Sequence, residues 1–235
     1  MTTALHLTHA IQHDSQVTGI QVAVDGIVDA FLRYAAQDKM WCVAPEEELF
    51  QFFVEKAIRA GRSAESCIYL TETQTEKFSE VSCLLKPEPS IAQMAWNRRQ
   101  GSQRAFSLCG VSHTMSTSNV MKAVGDCITN PLQSWDAIIC PSMAIRDSIH
   151  SLWNGWREYL GQRFETTICC PIQTPVIPLG IDCQKFYKNR DPLLRAKQRE
   201  ILGISKDEVV VLFLGRLSYF AKAHPLPLFL AAEQA

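Results

Sequence analysis

The chain has 235 residues and a formal charge of −1, with 23 basic and 24 acidic side chains. Nucleic-acid-binding proteins normally carry a basic patch or stripe, and the group Arg98, Arg99 and Arg104 is too small to provide one. We therefore expect no nucleic-acid partner. The nine cysteines are odd in number and none lies in a C-x-x-C spacing, which indicates reduced core thiols in a cytoplasmic protein and no zinc ligand set.

The sequence contains no run of roughly 18 uninterrupted apolar residues, so we expect no transmembrane segment. Residues 1–13 have neither the basic start nor the long apolar stretch of a signal peptide. Peripheral contact with a membrane surface stays open.

Short apolar runs alternate with segments of helical periodicity over the first 180 residues. The predicted strands are residues 5–7, 40–43, 67–70, 81–85, 106–111, 137–140 and 176–179, and apolar side chains recur at helical spacing over residues 20–35, 49–57 and 145–160. Trp153 and Trp156 fall on the apolar stripe of the last segment, so we expect both in the core, and Ser142 is predicted to cap that helix. Strands that are apolar without alternation are typical of a parallel sheet covered on both faces. The pattern predicts an α/β fold with a doubly wound parallel sheet.

The sheet domain is predicted to end near Gly180, where two prolines and this glycine stiffen and turn the chain. A charged, helix-forming stretch follows at 188–199, and an apolar run comes at 209–214. We predict a first domain over residues 1–180, an interdomain linker and helix over 181–207, and over 208–235 the first strand and helix start of a truncated second domain. We expect the apolar side chains of that last segment to be exposed.

Ligands of doubly wound sheets lie outside the carboxyl ends of the strands, so residues that follow a strand are candidates for chemistry. Gly19 stands at the start of the first helix, where free N–H groups and the helix dipole favour a phosphate. A turn behind a capping Thr18 explains the same glycine. His113 follows the strand at 106–111 and can hydrogen-bond a sugar hydroxyl or exchange a proton near neutral pH. A histidine held by neighbouring backbone is the alternative.

A second pair of candidates follows the apolar run at 209–214. Gly215 is followed by Arg216, and Lys222 lies six residues after the arginine. A guanidinium and a lysine after a strand can clamp a diphosphate and stabilise negative charge as it leaves. Solvated surface cations are the alternative, but the position of both residues after a buried strand and a glycine favours phosphate binding.

Four motifs occur in a fixed order along the chain. They are Gly110-Val111-Ser112-His113-Thr114, Trp135-Asp136-Ala137-Ile138-Ile139-Cys140-Pro141-Ser142, Ile177-Pro178-Leu179-Gly180-Ile181-Asp182, and Gly215-Arg216-Leu217 with Lys222-Ala223-His224-Pro225. Together they resemble the retaining glycosyltransferases of the GT-B fold, family 4 in the sequence classification. The resemblance extends over most of the chain and is strongest in its second half.

The resemblance implies two facing Rossmann-like domains, with residues 1–180 on the acceptor side and residues 208–235 opening the donor-binding domain. It places Gly19 near the donor phosphates, His113 as the catalytic-site residue near the transferred sugar, and Arg216 and Lys222 on the donor diphosphate. The implied activity is transfer of a sugar, with retention of configuration, from a nucleotide-sugar donor to a glycan, lipid-linked or small-molecule acceptor. No metal and no cofactor besides the donor substrate are implied.

Three departures from the family pattern bear on this hypothesis. The spacing from Arg216 to Lys222 is one residue longer than is usual, with Ala223 in place of a glycine, and the early loop has one glycine rather than two. The paired glutamates of the family's second domain do not occur in this chain, so we expect it to bind acceptor without turnover. A non-catalytic binding or scaffold module and another GT-B enzyme, such as a sugar-nucleotide epimerase or a phosphorylase, stay open.

Overall fold

The computed structural model describes residues 2–8, 19–187, 191–213 and 224–234. The chain divides into two compact units, Met1–Ile181 and Asp182–Ala235. The first unit holds the sheet. The roles assigned to residues 181–207 as a linker and to residues 208–235 as the start of a donor-binding domain stay predictions.

The described part of the first unit contains six strands and five α-helices. The strands are β1 (Thr3–His6), β2 (Met40–Val43), β3 (Cys67–Leu70), β4 (Cys83–Lys86), β5 (Ser107–Val111) and β6 (Ala137–Ile139). The helices are α1 (Gly19–Tyr34), α2 (Glu47–Arg59), α3 (Ala92–Gln100), α4 (Ser118–Thr129) and α5 (Met143–Phe164), with short 3-10 helices at Ala64–Ser66 and Thr75–Glu80.

The six strands form one sheet in the order β3-β2-β1-β4-β5-β6, and every neighbouring pair is parallel. This confirms the predicted α/β fold with a Rossmann-like doubly wound sheet. The strand order reverses between β1 and β4, which are neighbours in space but not along the chain. In such sheets this reversal opens a crevice at the carboxyl edge, where ligands bind.

Helices cover the sheet on both faces. Leu5 of β1 packs on one face with Val28 of α1 and Phe53 of α2. The next residue back, Ala4, belongs to the core on the opposite face, which also contains Ile149 of α5. Because successive side chains of each strand enter different cores, both must be apolar, and this explains why the strands show no alternation.

A buried ion pair joins α3 to the residue that precedes β6, beside the amino end of β5. The Arg98 guanidinium contacts both carboxylate oxygens of Asp136 at 2.6 and 2.7 Å, and both side chains are fully buried. Arg98 also donates to the Phe106 carbonyl, and Asp136 accepts the backbone N–H groups of Leu108 and Gln133. The carboxylate therefore uses about four acceptor positions, its full capacity.

The long helix α5 bears out two sequence predictions and corrects a third. Ser142 caps it by accepting the backbone N–H of Ile145, as predicted, and Trp153 is 5% exposed in the core. Trp156 is 40% exposed, so its predicted core position is wrong. It lies one turn further along the same stripe, against Gly125 of α4 at the margin of the packed region, where a Cβ on the glycine would approach the indole nitrogen to 2.8 Å.

The predicted strand at 176–179 is not a regular strand. The chain after α5 runs beside β6 through two isolated parallel bridges, Ala137↔Gln173 and Cys140↔Val176. Pro175 and Pro178 flank the second bridge, and a proline has no N–H to donate to a ladder. The pairing ends at the second bridge, whose last hydrogen bond is donated by the Ile177 N–H to the Cys140 carbonyl.

The second unit contains three described helices: α6 (Cys183–Tyr187), α7 (Pro192–Ile201) and α8 (Leu226–Glu233). Asp191 caps α7, which has Pro192 in its first turn. The predicted strand at 209–214 is wrong over its described residues, 209–213, because none of them pairs with another described strand. Val209 is 91% exposed, in keeping with the expected exposure of this apolar run, and no side chain described in the unit is buried.

Two further findings concern the whole described chain. None of its helices combines the length and the apolar composition that a bilayer crossing needs. The nine cysteines are all free thiols, as predicted, although Cys169 and Cys183 are exposed rather than in the core. Burial raises the pKa of the Cys109 thiol to about 12, so this side chain behaves as a small apolar group rather than as a nucleophile.

Candidate functional site

Polar side chains gather at the carboxyl edge of the sheet, next to the reversal between β1 and β4. They come from the residues that end or follow four different strands: His6 and Thr8 from β1, Glu72 from β3, Glu88 and Ser90 from β4, and His113 from β5. The fold itself converges them there, because parallel strands all present their carboxyl ends to one edge. We take this edge as the candidate site.

His6 and Glu72 form one half of the edge. The His6 Nε2 atom lies 2.6 Å from Glu72 Oε1, with the imidazole 2% exposed and the carboxylate 42% exposed. The hydrogen bond from His6 lowers the pKa of Glu72 below its ordinary value of 4.5, and partial burial opposes that shift. The buried His6 Nδ1 has no hydrogen-bond partner among the residues that the structure describes. The carboxylate at this position is thus kept ionised and oriented.

Glu88 is the centre of the other half. Thr8 donates its hydroxyl to Glu88 Oε1 at 2.6 Å, and Ser90 donates its hydroxyl to Oε2 at 3.3 Å. All three side chains are partly buried. A carboxylate offers about four acceptor positions, so about two stay free for a ligand, and each hydroxyl can accept a further hydrogen bond. Such a group suits a ligand that presents several hydroxyl donors.

The loop that carries Glu88 lies tightly against the end of β5. A Cβ on Gly110 would come within 2.9 Å of the Glu88 carbonyl oxygen, which is closer than packed atoms tolerate, and would also touch the Pro89 Cα at 3.4 Å. The Val111 N–H donates to the same Glu88 carbonyl at 3.2 Å. Only glycine fits at 110 without displacing the backbone of this loop.

His113 contacts the same loop. Its Nε2 atom lies 2.8 Å from the carbonyl oxygen of Pro87. A carbonyl only accepts, so Nε2 carries the hydrogen and donates. The Nδ1 atom is buried and has no hydrogen-bond partner within the described part of the chain. In this arrangement the imidazole is held by neighbouring backbone, and its role near a transferred sugar stays a prediction.

The other predicted site residues are not brought to this cluster by anything that the structure describes. Arg216 and Lys222 lie outside the described residues, as does Thr18, so the diphosphate clamp stays a prediction. Gly19 is the first residue of α1 and is exposed, and no atom of the described residues lies within 4 Å of a Cβ built on it. No close contact within the described part of the chain therefore requires glycine there, and its phosphate role also stays a prediction.

Sequence reasoning missed the roles of His6, Thr8, Glu72 and Glu88. A usable signal existed for the two glutamates, since each stands two residues after the last residue of a strand. His6 was harder to find because it lies inside β1. Across the described residues no group of three or more His, Cys, Asp or Glu side chains is arranged to hold a metal ion.

The chain was compared with known proteins in three ways. No protein-family model matches it, and no curated protein sequence and no solved structure matches it at a significant level. The proposals below therefore depend on the motifs of the sequence and on the geometry of the carboxyl edge.

Proposed function

We propose that this chain is part of a retaining glycosyltransferase, which moves a sugar from a nucleotide-sugar donor to an acceptor hydroxyl. The observation that carries the proposal is the set of carboxylate, hydroxyl and imidazole groups at the carboxyl edge of a Rossmann-type sheet, beside its strand reversal. Carboxylates with spare acceptor positions are the partners that sugar hydroxyls need. The motif order that ends in Gly215, Arg216 and Lys222 supports the same activity.

The proposed reaction divides the work between two parts of the chain. The carboxyl edge of the sheet binds hydroxyl groups, and Arg216 and Lys222 bind the donor diphosphate, with Gly19 near the phosphates. The acceptor oxygen bonds to the anomeric carbon while the bond from that carbon to the diphosphate breaks. The diphosphate leaves with the electron pair and takes up the acceptor proton. Two cations stabilise the charge that develops on the leaving group.

The second candidate function is a binding module without catalysis, and one observation favours it. His113, the residue that the resemblance places at the transferred sugar, donates to the Pro87 carbonyl and has its other ring nitrogen buried. A site that lost catalysis can keep such a histidine for structural reasons, because a fold does not fix a function.

A donor assay separates these two candidates. The product of the complete reading frame that contains this chain is incubated with UDP-, GDP-, ADP- and CDP-sugars, and nucleotide release is followed. We expect release from one donor class, lowered about a hundredfold or more in Arg216→Ala and in Lys222→Ala. The control variants Arg195→Ala and Lys206→Ala remove exposed cations of the second unit and should retain activity. Binding of a nucleotide sugar without release would support the binding module, and no binding would refute both candidates.

A further inference from the structure

We infer that His113 is a positioning residue, which holds the Lys86–Ser90 segment so that Glu88, with Thr8 and Ser90, forms the hydroxyl-binding carboxylate of the site. The inference deepens the proposed function and depends on it for the identity of the ligand. The positioning itself is a property of the fold.

The loop between β4 and α3 has a rigid, alternating sequence. Its sequence is Lys86-Pro87-Glu88-Pro89-Ser90, in which the two prolines are buried while Glu88 and Ser90 are partly exposed. Prolines fix φ, so the segment loses little conformational freedom on folding. The alternation turns the prolines toward the protein and the two polar side chains toward the edge of the sheet.

Several independent contacts fix the loop. His113 donates to the Pro87 carbonyl, and the Val111 N–H donates to the carbonyl of the next residue, Glu88. The bare Cα of Gly110 lets the Glu88 backbone approach β5. The Lys86 ammonium donates to the Ser90 carbonyl at 3.2 Å and closes the loop on itself. Contacts of this kind preorganise a binding group, which lowers the ordering cost of binding.

Glu88 and His113 differ in the atoms that a ligand can reach. The Nε2–H of His113 is already used by Pro87, and its Nδ1 is buried, so a ligand meets neither nitrogen in this arrangement. Glu88, in contrast, is partly exposed and has acceptor capacity left after Thr8 and Ser90 have donated to it. The ligand-facing group is therefore the carboxylate, and the imidazole acts through the loop.

Amide hydrogen exchange tests the positioning without any ligand. In His113→Leu, which removes the donor, we expect the Val111 amide to exchange about fivefold faster or more, the factor that corresponds to one neutral hydrogen bond. In His113→Gln, whose amide N–H can reach the Pro87 carbonyl, exchange should stay within about twofold of the parent. His150→Leu is the matched control, because His150 lies on α5 and its imidazole bonds to Thr174, away from the Lys86–Ser90 segment. Unchanged exchange in His113→Leu, or equal damage from Gln and Leu, would overturn the inference.

A double-mutant cycle tests whether His113 acts on the ligand through Glu88. Three variants of the complete reading frame's product are compared with the parent: Glu88→Gln, His113→Leu and the double variant. Each is assayed with the nucleotide sugar from which the parent releases nucleotide. We expect each single change to lower kcat/KM about tenfold, and the double variant to fall no more than about twofold below Glu88→Gln. His113→Gln should restore the activity. Additive losses would mean that His113 contacts the ligand itself and would overturn the inference. If no nucleotide sugar is cleaved, the proposed function has failed, and the exchange experiment still decides the positioning.

Discussion

Two polar clusters lie at opposite ends of strand β5 and differ in how much hydrogen-bonding capacity their carboxylates have left. At the amino end, Arg98 and Asp136 are fully buried, and the carboxylate accepts four hydrogen bonds from the protein. At the carboxyl end, Glu88 is partly exposed and accepts hydrogen bonds from two hydroxyl groups. A saturated, buried carboxylate stabilises the fold, whereas an oriented one with spare capacity is available to a ligand. The difference separates structural from functional polar groups where residue type alone does not.

The largest effect is expected at the buried end. Asp136→Ala leaves the Arg98 charge without a partner, which should lower the free energy of unfolding by about 3–5 kcal/mol. The matched control is Asp126→Ala: the Lys122–Asp126 pair has the same 2.6 Å separation, but it is exposed. It should change stability by about 0.5 kcal/mol or less. Urea denaturation of both variants measures the difference, and equal losses would contradict the assignment of Asp136 to the core.

The next effect concerns the backbone contact that holds the Glu88 loop. Gly110→Ala forces a Cβ against the Glu88 carbonyl, so we expect a loss of about 1–3 kcal/mol and a displaced loop. Gly26→Ala, in helix α1 with no described atom within 4 Å of the new methyl group, should be neutral or stabilising by up to about 1 kcal/mol. Thermal unfolding compares the two. Equal behaviour of both glycines would show that the loop is not fixed by β5.

Glu72 gives a smaller effect that depends on pH. Its folded-state pKa lies below 4.5, so near that pH the unfolded chain binds more protons than the folded protein. The stabilisation is present above the unfolded-state pKa and is lost as the pH falls through the folded-state pKa. Glu72→Gln should reduce the loss of unfolding free energy between pH 6 and pH 3 by at most about 1 kcal/mol, since the carboxylate is partly exposed. Stability curves between pH 6 and pH 3 that coincide in slope for both proteins would be inconsistent with the His6–Glu72 contact.

The smallest effect on stability, with the largest on binding, is expected for Glu88→Gln. The amide retains an oxygen for one hydroxyl donor, so the free energy of unfolding should change by less than about 1 kcal/mol. Affinity for a hydroxyl-bearing ligand should fall about tenfold, because the charged acceptor is gone. A large loss of stability would instead place Glu88 with Asp136 as a structural carboxylate.

The sheet could be predicted from the sequence because its strands are apolar without alternation and its helices show a clear stripe. The same periodicity overestimated the burial of Trp156, since an apolar stripe does not show where the neighbouring elements stop covering it. It also predicted a strand at 209–214 from apolar composition, although a strand needs a partner. Strand ends indicated His113, but the contact of its Nε2 with Pro87 joins residues 26 positions apart, and no local pattern contains it.

The polar partners were the least predictable part of the site. The sequence shows Arg98 only as one of a small basic group with Arg99 and Arg104, yet it is paired with Asp136 across 38 positions. Thr8 and Glu88 are 80 positions apart and meet only because β1 and β4 are neighbours at the strand reversal. Such pairs follow from strand order, which periodicity does not reveal.

An amide chemical-shift titration of the ¹⁵N-labelled chain with a panel of nucleotide sugars and of free monosaccharides tests most directly whether the carboxyl edge binds a hydroxyl-bearing ligand. We expect the perturbed amides to gather at the carboxyl edge, around Thr8, Glu72, Glu88, Ser90 and Val111, and Glu88→Gln to weaken the response. Perturbations confined to another surface, such as the exposed side of α5 around Trp156, or a response unchanged in Glu88→Gln, would contradict binding at this edge.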